Sequence, residues 1–124
     1  MASGRTVAVV GATGAAGGTT LRILEERKFP VRELRAFASE RSIGKTVPFR
    51  GEAVRVQRIE PGAFRGVEIA FCSAGSAQAK ELAPMIVRAG AVVIDKSSAF
   101  RMDPNVPLVV PEINAHAARN HQGI

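Results

Sequence analysis

An apolar run, Val7-Ala8-Val9-Val10, breaks directly into GATGAAG, residues 11 to 17. The run does not alternate with polar residues, as expected of a strand buried on both faces. The loop carries Gly11, Gly14 and Gly17 at intervals of three. In a strand–loop–helix unit the first glycine makes the tight turn. The second lets backbone approach a pyrophosphate, and the third lets helix and strand pack closely. The helix head then offers free N–H groups and a partial positive charge to the anion. Thr13, Ala15 and Ala16 stand ready to lend backbone amides or a hydroxyl. The loop does not end in Gly-Lys-Ser/Thr, since Gly17 is followed by Gly18-Thr19-Thr20, so it is not a nucleoside triphosphatase loop.

The remaining pattern agrees with a strand–helix alternation. A first strand is expected over 5–10 and an amphipathic helix over 15–28, ended by Phe29-Pro30. Strands follow over Leu34–Ala38, Thr46–Phe49, Ala53–Arg58, Val67–Cys72 and Ala91–Ile94, with one more over Leu108–Val110. The two short strands flanking Gly51 suggest a hairpin. A second helix is expected over 76–89, kinked or divided by Pro84 and capped by Gly90. Residues 114–121 also read as helical. This order predicts an α/β fold, Rossmann-like and doubly wound, with a mostly parallel sheet and helices on both faces.

The turn after the second strand bears on the dinucleotide. An NAD site usually has an acidic residue about 20 residues past the glycines, at the end of that strand. Here the strand runs out at Phe37-Ala38-Ser39 and the turn reads Glu40-Arg41-Ser42. Arg41 and Ser42 suit a 2′-phosphate, because a guanidinium binds phosphate with two parallel bonds. NADP is therefore favoured, and NAD stays open if Glu40 points inward.

Bulk properties narrow the classes. A chain of 124 residues is one domain at most. No apolar run approaches the roughly 20 residues that span a bilayer. The start, Met1-Ala2-Ser3-Gly4-Arg5, leads directly into a strand, so no secretory signal is expected. One cysteine excludes an internal disulfide framework and fits a reducing cytoplasm. The net charge is +6, but the basic residues are scattered and there is no Trp or Tyr to stack on bases. That argues against nucleic acid and for an anionic small molecule. His116 and His121 have no cluster of other ligands around them, so no metal site is expected.

A second informative stretch, Asp95 to Asn114, follows a buried strand and so begins at the carboxyl edge of the sheet, where doubly wound folds bind ligands. It offers Ser97, Ser98 and Arg101, with Phe100 as an apolar anchor. Arg101 is a candidate for a substrate anion.

Taken together, VAVVGATGAAG, LEERKFPV, LRAFASERSIGK, FCSAGSAQAKELAP and AGAVVIDKSSAFRMDPNVPLVVPEIN resemble the N-terminal, NADP-binding portion of aspartate-semialdehyde dehydrogenase. The likeness runs from about Thr6 to Ile124. It implies an enzyme that makes aspartate semialdehyde from aspartyl phosphate with NADPH as hydride donor, on the route to lysine, threonine and methionine. It implies that Thr13 to Ala16 bind the pyrophosphate and that Arg41 and Ser42 lie near the 2′-phosphate. It places Ser73-Ala74-Gly75 beside the cofactor and makes Arg101 the holder of the substrate's phosphate. Lys96 stands where the family has asparagine.

The resemblance also implies what these residues lack. The family's cysteine nucleophile and histidine acid/base lie past the position matching Ile124, as does the part through which the family forms homodimers. Residues 1–124 are thus expected to be a cofactor domain cut from a longer chain and inactive alone. Cys72, the sole thiol, closes an apolar strand and reads as a small buried hydrophobe. The alternatives are a related reductase of another acyl phosphate, such as N-acetylglutamyl phosphate, and a free-standing NADP-binding module without catalysis.

Overall fold

The computed structural model describes residues 4–124. Met1 to Ser3, read above as a lead-in without a secretory signal, lie outside the described residues. Six strands form one sheet in the order β3-β4-β2-β1-β5-β6. The strands are β1 (Arg5–Val10), β2 (Val31–Phe37), β3 (Thr46–Phe49), β4 (Glu52–Gln57), β5 (Ile69–Cys72) and β6 (Val92–Asp95). All neighbours run parallel except β3, which pairs antiparallel with β4 at the edge.

The centre of the sheet is β1, with β2 on one side and β5 on the other. Its alternate side chains feed two separate cores. Val7 and Val9 meet Leu21 and Leu24 of α1 (Ala15–Glu26), together with Ala36, Val47, Phe49 and Val56. Ala8 and Val10 meet Ala79, Ala83 and Ile86 of α2 (Ser76–Arg88), together with Phe37, Phe64, Ala70 and Cys72. The helices therefore cover opposite faces, as the doubly wound expectation requires. A fully buried side chain such as Ile86 contributes about 1.5–3 kcal/mol by leaving water. The Phe37 and Phe64 rings, with centroids 4.6 Å apart, add a tilted aromatic contact to the second core.

The β3–β4 hairpin closes through Arg50-Gly51, both in the left-handed region at φ 54° and 78°. That pair of angles is the type I′ turn whose twist matches the strands. Arg50 also donates to the carbonyls of Val31 and Phe29, tying the hairpin to the α1–β2 turn.

Several boundaries differ from expectation for identifiable reasons. Helix α1 stops at Glu26, because Lys28 turns left-handed at φ 52° and Phe29 N–H reaches back to the Leu24 carbonyl. Strand β2 starts at Val31, three residues before Leu34; exposed Arg32 and Glu33 disguise its first half. Likewise β5 begins only at Ile69, since Val67 N–H is spent on a turn to Phe64. Helix α2 is not divided at Pro84: buried Ala79, Ala83 and Ile86 hold both halves on the sheet.

The strand expected over Leu108–Val110 does not exist. Its backbone groups bond to one side chain instead, Val110 N–H donating to Asn114 Oδ1 at 2.7 Å and Asn114 Nδ2 to the Leu108 carbonyl at 2.9 Å. The expected final helix is one α-turn, α3 (Pro111–Asn114), continued as 3-10 helix over Ala115–Asn120. The chain then returns to the sheet, where Val93 N–H donates to the Gly123 carbonyl at 2.7 Å. Among the described residues no helix is long and apolar enough to cross a membrane.

Candidate functional site

Strand order reverses at β1: the chain crosses to β2 on one side and later to β5 on the other. At such a switch point the loops leaving the strand ends part and leave a crevice. Four loops converge on this carboxyl edge: 11–14 after β1, 38–45 after β2, 73–75 after β5 and 96–101 after β6.

The three glycines of the first loop have three different jobs. Gly11 sits at φ 83°, and its N–H and that of Ala12 both donate to the Phe37 carbonyl. A Cβ on Gly11 would come within 2.9 Å of the Ser73 carbonyl oxygen. A Cβ on Gly17 would be driven into the Gly11 carbonyl, so Gly17 sets how closely α1 packs under the loop. At Gly14 the nearest atom a Cβ would meet is the Gly11 oxygen, at 3.5 Å. Gly14 thus has only an ordinary contact on that side, with no crowding at the head of α1. No side chain caps α1 and no acidic residue lies in its first turn. Exposed Ala15 and Ala16 present first-turn N–H groups to the crevice. The head of α1 is therefore an uncapped, electropositive surface.

The turn after β2 comes to meet this loop. Ser42 is buried in a short 3-10 turn, Glu40–Ser42, and its Oγ stands 3.3 Å from Thr13 Oγ1. Arg41 beside it is exposed and makes no ion pair among the described residues. Glu40 does not reach toward the first loop: its Oε1 accepts from Arg58 Nη1 at 2.7 Å. That pair is solvent-exposed and worth about 0–1 kcal/mol, enough to orient Glu40 without anchoring it.

On the other side of β1, Ser73 N–H donates to the Val10 carbonyl, which holds the Ser73-Ala74-Gly75 loop against the glycine loop. Ser73 Oγ is buried with no hydrogen-bond partner among the described residues. A buried hydroxyl left unmatched costs roughly 1–3 kcal/mol, so a partner from a bound molecule has somewhere to go. Gly75 heads α2 in extended backbone. The next residue, Ser76, lies 2.7 Å, Oγ to Oγ, from Ser98 of the fourth loop.

That fourth loop is internally braced. Asp95 accepts from both the N–H and the hydroxyl of Ser97, and Ser97 Oγ in turn accepts Ala99 N–H. Lys96 N–H donates to the Cys72 carbonyl, and Lys96 Nζ donates to Thr20 Oγ1 on α1 at 2.6 Å. Arg101 is exposed, its Nη2 at 3.4 Å from the Lys96 carbonyl.

The structure therefore gathers Gly11, Thr13, Gly14, Ala15, Ala16, Ser42, Ser73 and Gly75 at one crevice, with Arg41 and Arg101 on its rims. The Glu40–Arg58 pairing and the Lys96–Thr20 contact were not anticipated. Their partners lie 18 and 76 residues apart, beyond any local pattern. Ser76 was hidden as an ordinary first residue of a helix. A cavity of about 610 Å³ lies elsewhere, beside the end of β4, with Arg55, Gln57 and Arg65 in its lining.

Cys72 is fully buried at the end of β5, as anticipated. Burial pushes its thiol above the ordinary value, with the nearby Asp95 charge adding to the effect against a hydrogen bond from Ala74. It is a poor thiolate source. His116 and His121 are both exposed, and His121 Nδ1 accepts Gly123 N–H.

Residues 6–121 match the protein family described as semialdehyde dehydrogenase, NAD binding domain. The aspartate-semialdehyde dehydrogenase of Synechocystis is 53% identical over 118 residues, covering 95% of this chain and 35% of that protein. The crystal structure of aspartate semialdehyde dehydrogenase II complexed with ASA from Vibrio cholerae superposes with a TM-score of 0.91. It shares 50% identity and covers 95% of this chain and 39% of its own. The Candida albicans enzyme solved with NADP gives 0.79 at 26% identity, over 94% of this chain and 36% of its own. The chain thus spans about a third of the length of the curated relatives it matches.

Proposed function

The chain belongs to the semialdehyde dehydrogenase NAD-binding domain family, and on that premise we propose that it is the NADP-holding, N-terminal domain of an aspartate-semialdehyde dehydrogenase. The observation that carries the choice of dinucleotide is the turn after β2. Glu40 is drawn to Arg58, while Ser42 is joined to Thr13 and Arg41 has no ion pair among the described residues. A carboxylate so placed does not receive ribose hydroxyls, and a free guanidinium beside a hydroxyl pair suits a phosphoryl group.

The residues of the crevice fit the group. Ala15 and Ala16 N–H would hold the pyrophosphate, Gly14 would admit it, and Ser73 Oγ would gain a partner. When bound, NADPH supplies a hydride to an acyl carbon. This chain's own residues bind and orient. Arg101 holds the substrate's phosphate, from a loop braced by Asp95, Ser97 and the Ser76–Ser98 contact. Reduction of aspartyl phosphate also needs a thiolate that attacks the acyl phosphate and expels phosphate. Buried Cys72 does not supply it. The nucleophile, the acid/base and the homodimer contacts belong to a portion of the enzyme outside this chain, working in the cytoplasm on the route to lysine, threonine and methionine.

The test is thermal unfolding of the chain titrated with NADPH and with NADH. A ligand at one hundred times its dissociation constant adds about 2.7 kcal/mol. NADPH is expected to raise the midpoint at concentrations where NADH does not. Equal shifts would refute the choice of NADP, and no shift with either would refute the dinucleotide site.

A further inference from the structure

Lys96 holds its ammonium in an unusual place. It leaves the end of β6, crosses to the α1 side of the sheet and donates to Thr20 Oγ1 at 2.6 Å. Thr20 is buried, and its hydroxyl donates to the Ala16 carbonyl at 3.0 Å. The charge therefore sits one hydroxyl away from the first turn of α1, about 6 Å along the axis from Ala16. Lys96 forms no ion pair among the described residues, and both oxygens of neighbouring Asp95 are turned to Ser97.

Three positive features thus meet at one edge of the crevice. They are the uncapped head of α1, the Lys96 ammonium and the Arg101 guanidinium resting on the Lys96 carbonyl. Like charges brought together around a helix N-terminus repel one another. The arrangement becomes favourable once an anion sits among them. From this we infer that Lys96 is a cofactor-affinity residue: its ammonium, seated on Thr20, lends a fixed positive charge to the pyrophosphate at the head of α1. The inference rests on the dinucleotide reading of the crevice. Because NADPH and NADH carry the same pyrophosphate, the charge strengthens the binding of both alike. Lys96 acts at a distance through the field and touches no reacting atom.

The experiment measures NADPH and NADH dissociation constants of the 124-residue chain at low and high salt, for the unaltered protein and for Lys96→Met, Lys96→Arg and Thr20→Val. Lys96→Met is expected to weaken both coenzymes about three- to tenfold at low salt, as befits the loss of one partly solvent-screened charge. The deficit shrinks as salt rises, because screening already removes the interaction. Lys96→Arg keeps most of the affinity. Thr20→Val, which keeps the side chain's shape and removes only the hydroxyl on which Lys96 sits, shows part of the same salt-sensitive loss. Unchanged affinity in Lys96→Met or in Thr20→Val overturns the inference. So does a loss that salt does not diminish, which marks a merely structural contact. If the unaltered chain binds neither coenzyme, the dinucleotide reading itself falls and this inference with it. If it binds both and the variants match it, only the role of Lys96 is refuted.

Discussion

The hydroxyls of Thr13 and Ser42 stand 3.3 Å apart, joining the loop after β1 to the turn after β2. On the proposed reading, those two segments would meet the pyrophosphate and the adenosine of the coenzyme. A contact between them fixes the spacing of the two binding surfaces before any ligand arrives, which lowers the ordering cost of binding.

Arg41→Ala is accordingly expected to weaken NADPH by about 1–3 kcal/mol, the range for a lost charge-assisted contact. NADH affinity stays unchanged, because NADH lacks the phosphoryl group involved. Competition titrations with both coenzymes measure the difference, and a variant that still discriminates as the parent does removes Arg41 from the site.

Two glycines near the head of α1 separate packing from propensity. Gly17→Ala places a methyl against the Gly11 carbonyl, so the helix must shift away from the loop. A loss of about 1–3 kcal/mol is expected, as for other overpacked sites. Gly18, one residue along, has nothing within 4 Å of an added Cβ. Gly18→Ala is expected to stabilise by about 0.5–1 kcal/mol through helix propensity. Urea unfolding of the two variants should move their midpoints in opposite directions.

Much of this architecture is legible in the sequence. The β1 run and the glycine loop announce themselves because a doubly buried strand has no polar alternation and a left-handed turn at Gly11 has few residue choices. What escaped reading is where backbone groups find partners that composition does not signal. Arg32 and Glu33 look like a turn yet lie within a strand, because β1 runs alongside: Val31 and Glu33 pair with Arg5 and Thr6, and the register skips Arg32. Leu108–Val110 looks like a strand yet has no neighbour, and the Asn114 amide takes its bonds. The crevice shows the same division. Its glycines and hydroxyls were legible from local spacing. The pairing that turns Glu40 toward Arg58 depends on β4 ending beside that turn, a tertiary fact.

Glu68 makes stability depend on acid. Thr6 N–H donates to its Oε2 and Arg5 Nη1 to its Oε1, fastening the start of β5 to β1. The Thr6 N–H bond first, then Arg5, lowers its folded pKa below the ordinary carboxylate value. A depressed carboxyl contributes stability above its unfolded pKa of about 4.3 and loses it as pH falls through the folded value. The melting temperature of the parent should therefore drop on acidification below that range. In Glu68→Gln this part of the acid limb should be flatter, and identical limbs would show that Glu68 is not linked to folding.

Cys72 carries the opposite linkage. Burial raises its thiol pKa, so the group contributes stability that is fully present below the unfolded pKa of about 8.5 and fades as pH rises through the folded value. Alkylation reads the same burial kinetically. Only the thiolate attacks iodoacetamide, and here the sulfur is both fully buried and disfavoured as an anion. The native chain should react slowly at neutral pH and at the rate of an ordinary free thiol once unfolded in denaturant. Bound NADPH should slow the native reaction further, because it stabilises the closed form from which the thiol must escape. Rapid labelling of the native chain would place Cys72 at the surface and reopen it as a nucleophile, against its assignment as a small apolar plug under the crevice.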